Sequence, residues 1–564
     1  MGWNLKDIFV SDAEFEECVQ ELAEKIERLG ATLSQIEDGK TMGSCLDELE
    51  RLSIAHEKAS VYVNCILLLD GTDKKAISDS QKMAMLSSKL VTVKNTVMYE
   101  FAEKYKNDPQ CDKYSVFLYK LADKVRHSGS RDAENLFAEM SAISKNWAVL
   151  HKANLAQTKT LGSNPISLAS ATANQLKDDP AIRREGYLGE QSICERASSV
   201  ARFALCSIKS ENILEARMRG FSSVLEMCLH QDGIDNVFFE QILDTAKIAA
   251  EMATGCLAVK QRLSGNNGLK WYNLLYVASG KGEALSWETA LDSIRSIGQK
   301  TGVLVDGILQ RAVTENWIDY EQRPSKRSGA CCNSLHAKKA TYMMLTFSGS
   351  VKNYVSLSHE LGHAVHHAIL QENNFFDSFA PMPINEAVAI FFDLIAGDEL
   401  ASRYPQYANA VLEGRINNII TTFLEVQSRF LFEKDLFSQC GSRFPDMEEL
   451  CEMALSTQKS VFGDTGDKES YHPYVWVSKP HFYYQGIPFY NYPYMIARLA
   501  AYSLYGRWLE EGALFFEHLL GVLSQSGKAN VQETLALLGV GENNCWRFSL
   551  DRIREVIEQW NGQD

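Results

Sequence analysis

Several features are scarce or missing in this chain of 564 residues, and each absence narrows what it can be. Its 13 cysteines form no CxxC pair, so neither a zinc knuckle nor a disulfide framework is suggested, and free thiols in a reducing compartment are expected. Only 12 prolines occur against 45% hydrophobic and 23% charged residues, a balance that excludes fibrous and disordered classes. Basic residues are outnumbered 57 to 72, and the formal charge of -15 disfavours a general grip on nucleic acid or anionic lipid. No uninterrupted apolar run approaches the roughly 18 residues of a membrane span, so no membrane partner is expected. The opening Met1-Gly2-Trp3-Asn4-Leu5-Lys6-Asp7 lacks the basic and apolar segments of a secretory signal, and a cytoplasmic location is expected. No segment repeats at a fixed period, which sets a solenoid aside.

Most of the sequence reads as helix. Ser11 is placed to cap a helix whose apolar face is Phe15, Cys18, Val19, Leu22 and Ile26. Thr92 to Tyr105 is helical in pattern and closes at Asp108-Pro109. Between about 150 and 180 the pattern changes, and Leu161-Gly162-Ser163-Asn164-Pro165 reads as the turn of a small hairpin. Helical patterns return at Ile193–Ile208, Asn212–Leu229 and Val237–Leu263, with a break at Gly265–Gly268 and a cap at Ser286. The expected organisation is an N-terminal helical domain over 1–150 and a helical catalytic domain over 151–564. A small sheet near 340–348 belongs to the second, where Tyr342 to Phe347 is the best short strand candidate.

After that strand comes Ser358-His359-Glu360-Leu361-Gly362-His363, on a helix with the apolar stripe Leu357, Leu361, Val365 and Ile369. Two imidazoles one turn apart stand about 6 Å apart along the axis, so His359 and His363 can reach one zinc ion. Glu360 lies about 100° around from His359, able to take a proton from a water there without binding the ion. His366 shares that face but sits about 10 Å along the axis from His359, which suits a cleft wall better than a ligand. For the third ligand, spacing leaves Glu372, Glu386 and Glu399 open. Glu386 stands out as a carboxylate in an otherwise apolar helix, where it needs a partner. Asp393, seven residues on, could orient a ligating histidine by a hydrogen bond.

A second cluster runs from His481 to Tyr494, with five tyrosines in the segment His-Phe-Tyr-Tyr-Gln-Gly-Ile-Pro-Phe-Tyr-Asn-Tyr-Pro-Tyr. Such density serves packing or peptide stacking, but histidine and phenol groups are also donors of the kind a zinc hydrolase aims at a developing oxyanion.

The motif His359 to His366, Glu386 with Asp393 and the segment His481 to Tyr494 together resemble the oligoendopeptidase F branch of the thimet-oligopeptidase-like zinc peptidases, the M3 peptidases. Lys326-Arg327-Ser328-Gly329-Ala330 and the opening Trp3, Leu5 and Phe9 are similar to that branch too. The resemblance implies a mainly α, zincin-like fold with a deep channel between two lobes and a small β-sheet beside the HExxH helix. It implies one Zn2+ per chain on His359, His363 and Glu386, with Glu360 as general base. His481 and Tyr494 would act on the substrate or the transition state, joined by Tyr490 or Tyr492. The stretch Gln485–Pro488 makes the separation from His481 to the tyrosines longer than the family's compact spacing, so the donor position is open among the three. Tyr483 and Tyr484 are expected to be wall packing.

The activity implied is hydrolysis of internal bonds in unstructured oligopeptides, with the peptide backbone aligned on an edge strand at 342–347. A zinc carboxypeptidase or a peptidyl-dipeptidase on a similar scaffold is the alternative. It would need a cation for the substrate's terminal carboxylate, such as Arg323, Lys326 or Arg498.

Overall fold

The computed structural model describes residues 2–562 apart from 265–268, 279–283, 324, 328, 464, 466 and 542–545. The fold is mainly α, with one three-stranded sheet, and the chain forms two compact units, each assembled from three separate stretches. The break expected at Gly265–Gly268 lies outside the described residues.

The first unit comprises 1–127, 284–403 and 507–538. It opens with the helices Asp12–Leu33, Gly39–Leu69 and Lys74–Thr96, started by Ser11, Asp38 and Asp73, whose side chains accept backbone N–H groups of the first turn. Phe15, Leu22 and Ile26 are buried as their period predicts, and Phe15 joins Phe9 and Tyr62 in one ring cluster. By length and composition alone, Gly39–Leu69 is long and apolar enough to cross a membrane. It nonetheless carries Glu50, Arg51, His56, Glu57 and Lys58, and it packs Leu46, Leu49 and Leu68 into this unit's core.

Strands β1 (Ile318–Asp319), β2 (Cys331–Leu335) and β3 (Ala340–Met344) lie in the order β1-β3-β2, β3 being parallel to β1 and antiparallel to β2. The strand expected at 342–347 therefore starts two residues earlier, and it is the central strand, not an edge. Its five residues are all buried, and both of its ladders are taken. An extended peptide can be added only at β1 or at β2, whose residues 331–334 remain partly exposed.

The second unit comprises 128–283, 404–506 and 539–564. The domain boundary expected near 150 falls inside its helix Arg131–Gln157. Small residues of Pro180–Met218 (Ala197, Ala201, Ala204) let that helix pack closely on Phe432, Leu436, Leu450, Trp476 and Phe482. The helix runs without interruption through 209–211, where the sequence pattern suggested a gap. Lys209 is wholly buried there, paired with Glu433, and is a core residue. The break comes instead at Gly220, with φ 80°. The hairpin around Gly162 is reduced to a single bridge between Lys159 and Ser167. The described cysteines, Cys18 to Cys451, are all free.

Candidate metal centre and aromatic cluster

The helix Val351–Leu370 begins at a capping box. Ser350 Oγ accepts the Asn353 N–H at 3.1 Å, and Asn353 Oδ1 accepts the Ser350 N–H at 3.3 Å. Leu357, Leu361, Val365 and Ile369 are buried, which turns His359 and His363 to the opposite, partly open face. The neighbouring helix, Met382–Arg403, brings up Glu386. The two helices meet closely at Gly362, where a Cβ would lie 2.8 Å from Ala389 Cα and 3.0 Å from Phe392 Cβ. Only glycine permits this approach, and the approach carries Glu386 to the histidines.

His359 Nε2 lies 3.5 Å from Glu386 Oε2, and His363 Nε2 lies 4.0 Å from Glu386 Oε1. All three donor atoms stand within 4.8 Å of one another. Asp393 Oδ2 is 3.2 Å from His359 Nδ1, so Nδ1 carries a proton and Nε2 is the ring nitrogen turned toward Glu386. Burial works against the charged form of His359, but Asp393 and Glu386 outweigh it and hold its pKa well above the usual imidazole range. His363 goes the other way, lowered by burial and by the neighbouring histidines. Glu360 is 5% exposed, and burial pushes its carboxyl up to about 7, with His359 opposing and Glu386 and Asp393 adding to the rise. Two imidazole nitrogens and a carboxylate make a donor set suited to zinc, with Glu360 beside it as an uncommitted base.

The other histidines of this helix have different duties. His366 is fully buried, with Nε2 2.8 Å from Ser526 Oγ, and burial lowers its pKa to about 3. His367 Nδ1 lies 3.8 Å from the Cys332 thiol on β2. Glu372 pairs with Lys339, and Glu399 is engaged by Ser296 and Lys300, so neither competes with Glu386.

Among the described residues one further trio is close enough for an ion, Glu190, Cys194 and His472. His472 Nδ1 accepts the Tyr474 N–H at 3.2 Å, so Nε2 carries the ring proton and faces Glu190 Oε1 at 3.8 Å. Glu190 also accepts from Gln175 at 2.6 Å.

In the second unit, His481 lies in the short helix Pro480–Tyr483, and Tyr492 opens the helix Tyr492–Glu511. Ring centroids of His481 lie 5.3 Å from Tyr490, 5.9 Å from Tyr484 and 6.5 Å from Tyr494, and the Tyr490 and Tyr494 hydroxyls are 3.5 Å apart. Tyr492 points elsewhere: it is 3% exposed and donates to Asp232 Oδ2 at 2.5 Å. Tyr483 is buried and stacks on His151 at 3.8 Å. Tyr484 is half-exposed, and its ring meets both His481 and Tyr490. Burial, with Arg429 and Lys479, lowers His481 to about 4, so it is a neutral donor near pH 7.

With this geometry in place, the family comparisons are specific. Residues 300–544, which hold the histidine pair, Glu386 and the aromatic cluster, match the model of Peptidase family M3. The oligoendopeptidase F homolog of Borreliella burgdorferi is 23% identical over 99% of this chain and 98% of its own length. Over the matched residues the chain is similar to peptidase family M3, and the relatives that match it along its whole length are oligoendopeptidase F proteins. Oligopeptidase PepF of Bacillus subtilis is 21% identical over 98% of this chain and 87% of its own. The crystal structure of oligoendopeptidase F from Enterococcus faecium shares the fold, with a TM-score of 0.68 at 17% identity over 98% of this chain and 99% of that one.

The residues that sequence reasoning missed are those that contact the aromatic segment from afar, Asp232, Lys209 and Glu433. Nothing in their spacing sets them apart, because their partners are more than 50 residues away.

Proposed function

We propose that the chain is a zinc-dependent oligoendopeptidase, with one Zn2+ held by His359, His363 and Glu386. The observation that carries this reading is the convergence of two imidazoles and a carboxylate, with Asp393 fixing the tautomer of His359. When bound, zinc supplies Lewis-acid polarisation of the scissile carbonyl and makes water a better nucleophile near neutral pH. Glu360, as general base, takes the proton of the attacking water on its carboxylate and returns it to the leaving amine. His481, Tyr490 and Tyr494 are the donors proposed for the oxygen on which negative charge develops. Tyr492 is not among them, since its hydroxyl is committed to Asp232. The free thiols support a cytoplasmic location.

The exopeptidase alternative needs a cation for the terminal carboxylate, and the three candidates are engaged. Lys326 is buried against Asp319 and donates to the carbonyls of Asp319, Glu321 and Leu345. Arg323 pairs with Asp319 and Glu321, and Arg498 donates to Thr422. The deciding experiment is digestion of a mixed peptide library, with free and with amidated C-termini, read by mass spectrometry. Internal cuts that ignore the C-terminal block are expected. Cuts confined to a fixed distance from a free C-terminus would replace the endopeptidase reading with the alternative.

A further inference from the structure

The residue before Tyr490 has an unusual backbone. Phe489 has φ of 55°, the left-handed region that a bulky side chain avoids. Its ring is anchored, 2% exposed, against Phe430 and Phe437 at 5.7 and 4.9 Å. Its N–H donates to Glu433 Oε1 at 3.0 Å. That same oxygen accepts from Lys209 Nζ at 2.6 Å, and both charged side chains are 0% exposed. Cys228 Sγ reaches the carbonyl of Pro488 at 3.6 Å, one residue earlier. A buried ion pair is a weak source of stability, because desolvation offsets most of the attraction. This one is aimed at a single backbone N–H, in a conformation that persists only where the surroundings over-determine it.

We propose that Glu433 is a positioning residue for the aromatic cluster. Its carboxylate, held by Lys209, pins the left-handed Phe489 and so sets the direction in which Tyr490 leaves the chain toward His481. The inference rests on the donor role proposed for Tyr490. If Phe489 relaxed to negative φ, Tyr490 would leave the chain in another direction, and the 5.3 Å approach of its ring to His481 would be lost.

Two double variants separate this role from general stability. Lys209→Met with Glu433→Gln removes both buried charges but keeps a side-chain carbonyl for the Phe489 N–H. Lys209→Met with Glu433→Leu removes the acceptor as well. On one quenched-fluorescent oligopeptide, the first double is expected to keep kcat within about threefold of wild type. The second should lose at least about tenfold in kcat with KM within about threefold. In a Tyr490→Phe background the Glu433→Leu loss should disappear, because the two changes act through the same hydroxyl. Equal kcat in the two doubles, or a Leu loss that persists with Tyr490→Phe, would overturn the proposal. If the second double does not fold, phenyllactate in place of Phe489 replaces only the N–H by oxygen. A fall in kcat then supports the role of Glu433, and wild-type kcat overturns it. A failure of the underlying donor role is recognised separately, as wild-type kcat in Tyr490→Phe alone.

Discussion

His359, Glu360 and His363 ride on one regular helix, and a second helix, closed against the first at Gly362, supplies Glu386 and Asp393. His481, Tyr490 and Tyr494 come from a short 3-10 turn, an irregular loop and the start of a helix. The intervening Phe489 and Tyr492 are bonded to Glu433, itself paired with Lys209, and to Asp232, all from distant parts of the sequence. In the first region, helical period alone turns the two proposed histidine ligands to one face, and tertiary packing has only to bring up the carboxylate. In the second, no local period exists, and side-chain direction depends on backbone angles that other segments impose. The metal region should therefore respond sharply to changes on its own helices, whereas the aromatic region should also respond to changes far away in sequence.

The largest effect expected is at the base. Glu360→Gln should lower peptide hydrolysis by roughly 10²–10⁴-fold while metal content stays near one per chain, since the ligands are intact. Metal analysis beside initial rates checks this, and an enzyme keeping more than a tenth of its activity would remove Glu360 from the role. Next come the donors. Tyr494→Phe and His481→Ala should each lose about a hundredfold in kcat with little change in KM, the signature of a contact made in the transition state. If Tyr494→Phe keeps full kcat and Tyr490→Phe does not, the donor role lies in the loop at Tyr490 and the comparison between the two regions stands.

Gly362→Ala sharpens the metal side of the comparison. The added methyl would lie 2.8 Å from Ala389 Cα, closer than side chains approach backbone, and tightly against Phe392 at 3.0 Å, and the resulting strain should cost about 1–3 kcal/mol. Because the helices must separate where Glu386 is brought to the histidines, metal occupancy should fall together with the melting temperature. Occupancy unchanged at a lowered melting temperature would show that the ligand set tolerates this shift. The smallest effect is expected at Tyr492→Phe, which removes the hydroxyl donated to the half-buried Asp232. Its cost should be about 1–2 kcal/mol of stability, with kcat within about threefold of wild type. A loss of kcat as large as that of Tyr494→Phe would mean that fixing the start of this helix matters as much as donating to the substrate.

How much of this was legible differs between the regions for the same reason. The HExxH spacing, the buried stripe from Leu357 to Ile369 and the isolated carboxylate of Glu386 can all be read from a period of 3.6 residues. The tyrosine-rich segment is visible as composition, but composition gives no direction. It does not say that Tyr492 turns toward Asp232, or that Phe489 adopts a left-handed angle just before Tyr490. The edge-strand expectation failed on a similar point. Residues 340–344 form a strand by their own pattern, but central or edge position depends on which segments pair with it.

By itself, then, the sequence determined the helical character of the chain, the strand before the metal helix and the face that carries two imidazoles and a base. Each of these depends on interactions within a few turns. Only the tertiary structure decided that Glu386, rather than Glu372 or Glu399, meets the histidines, since the other two carboxylates are consumed by Lys339, Ser296 and Lys300. It likewise decided that Lys209 and Glu433 are buried partners and that Lys326 is committed to Asp319. The reason is that a charged side chain's role is set by what neutralises it, and here each neutralising group arrives from another segment, by folding.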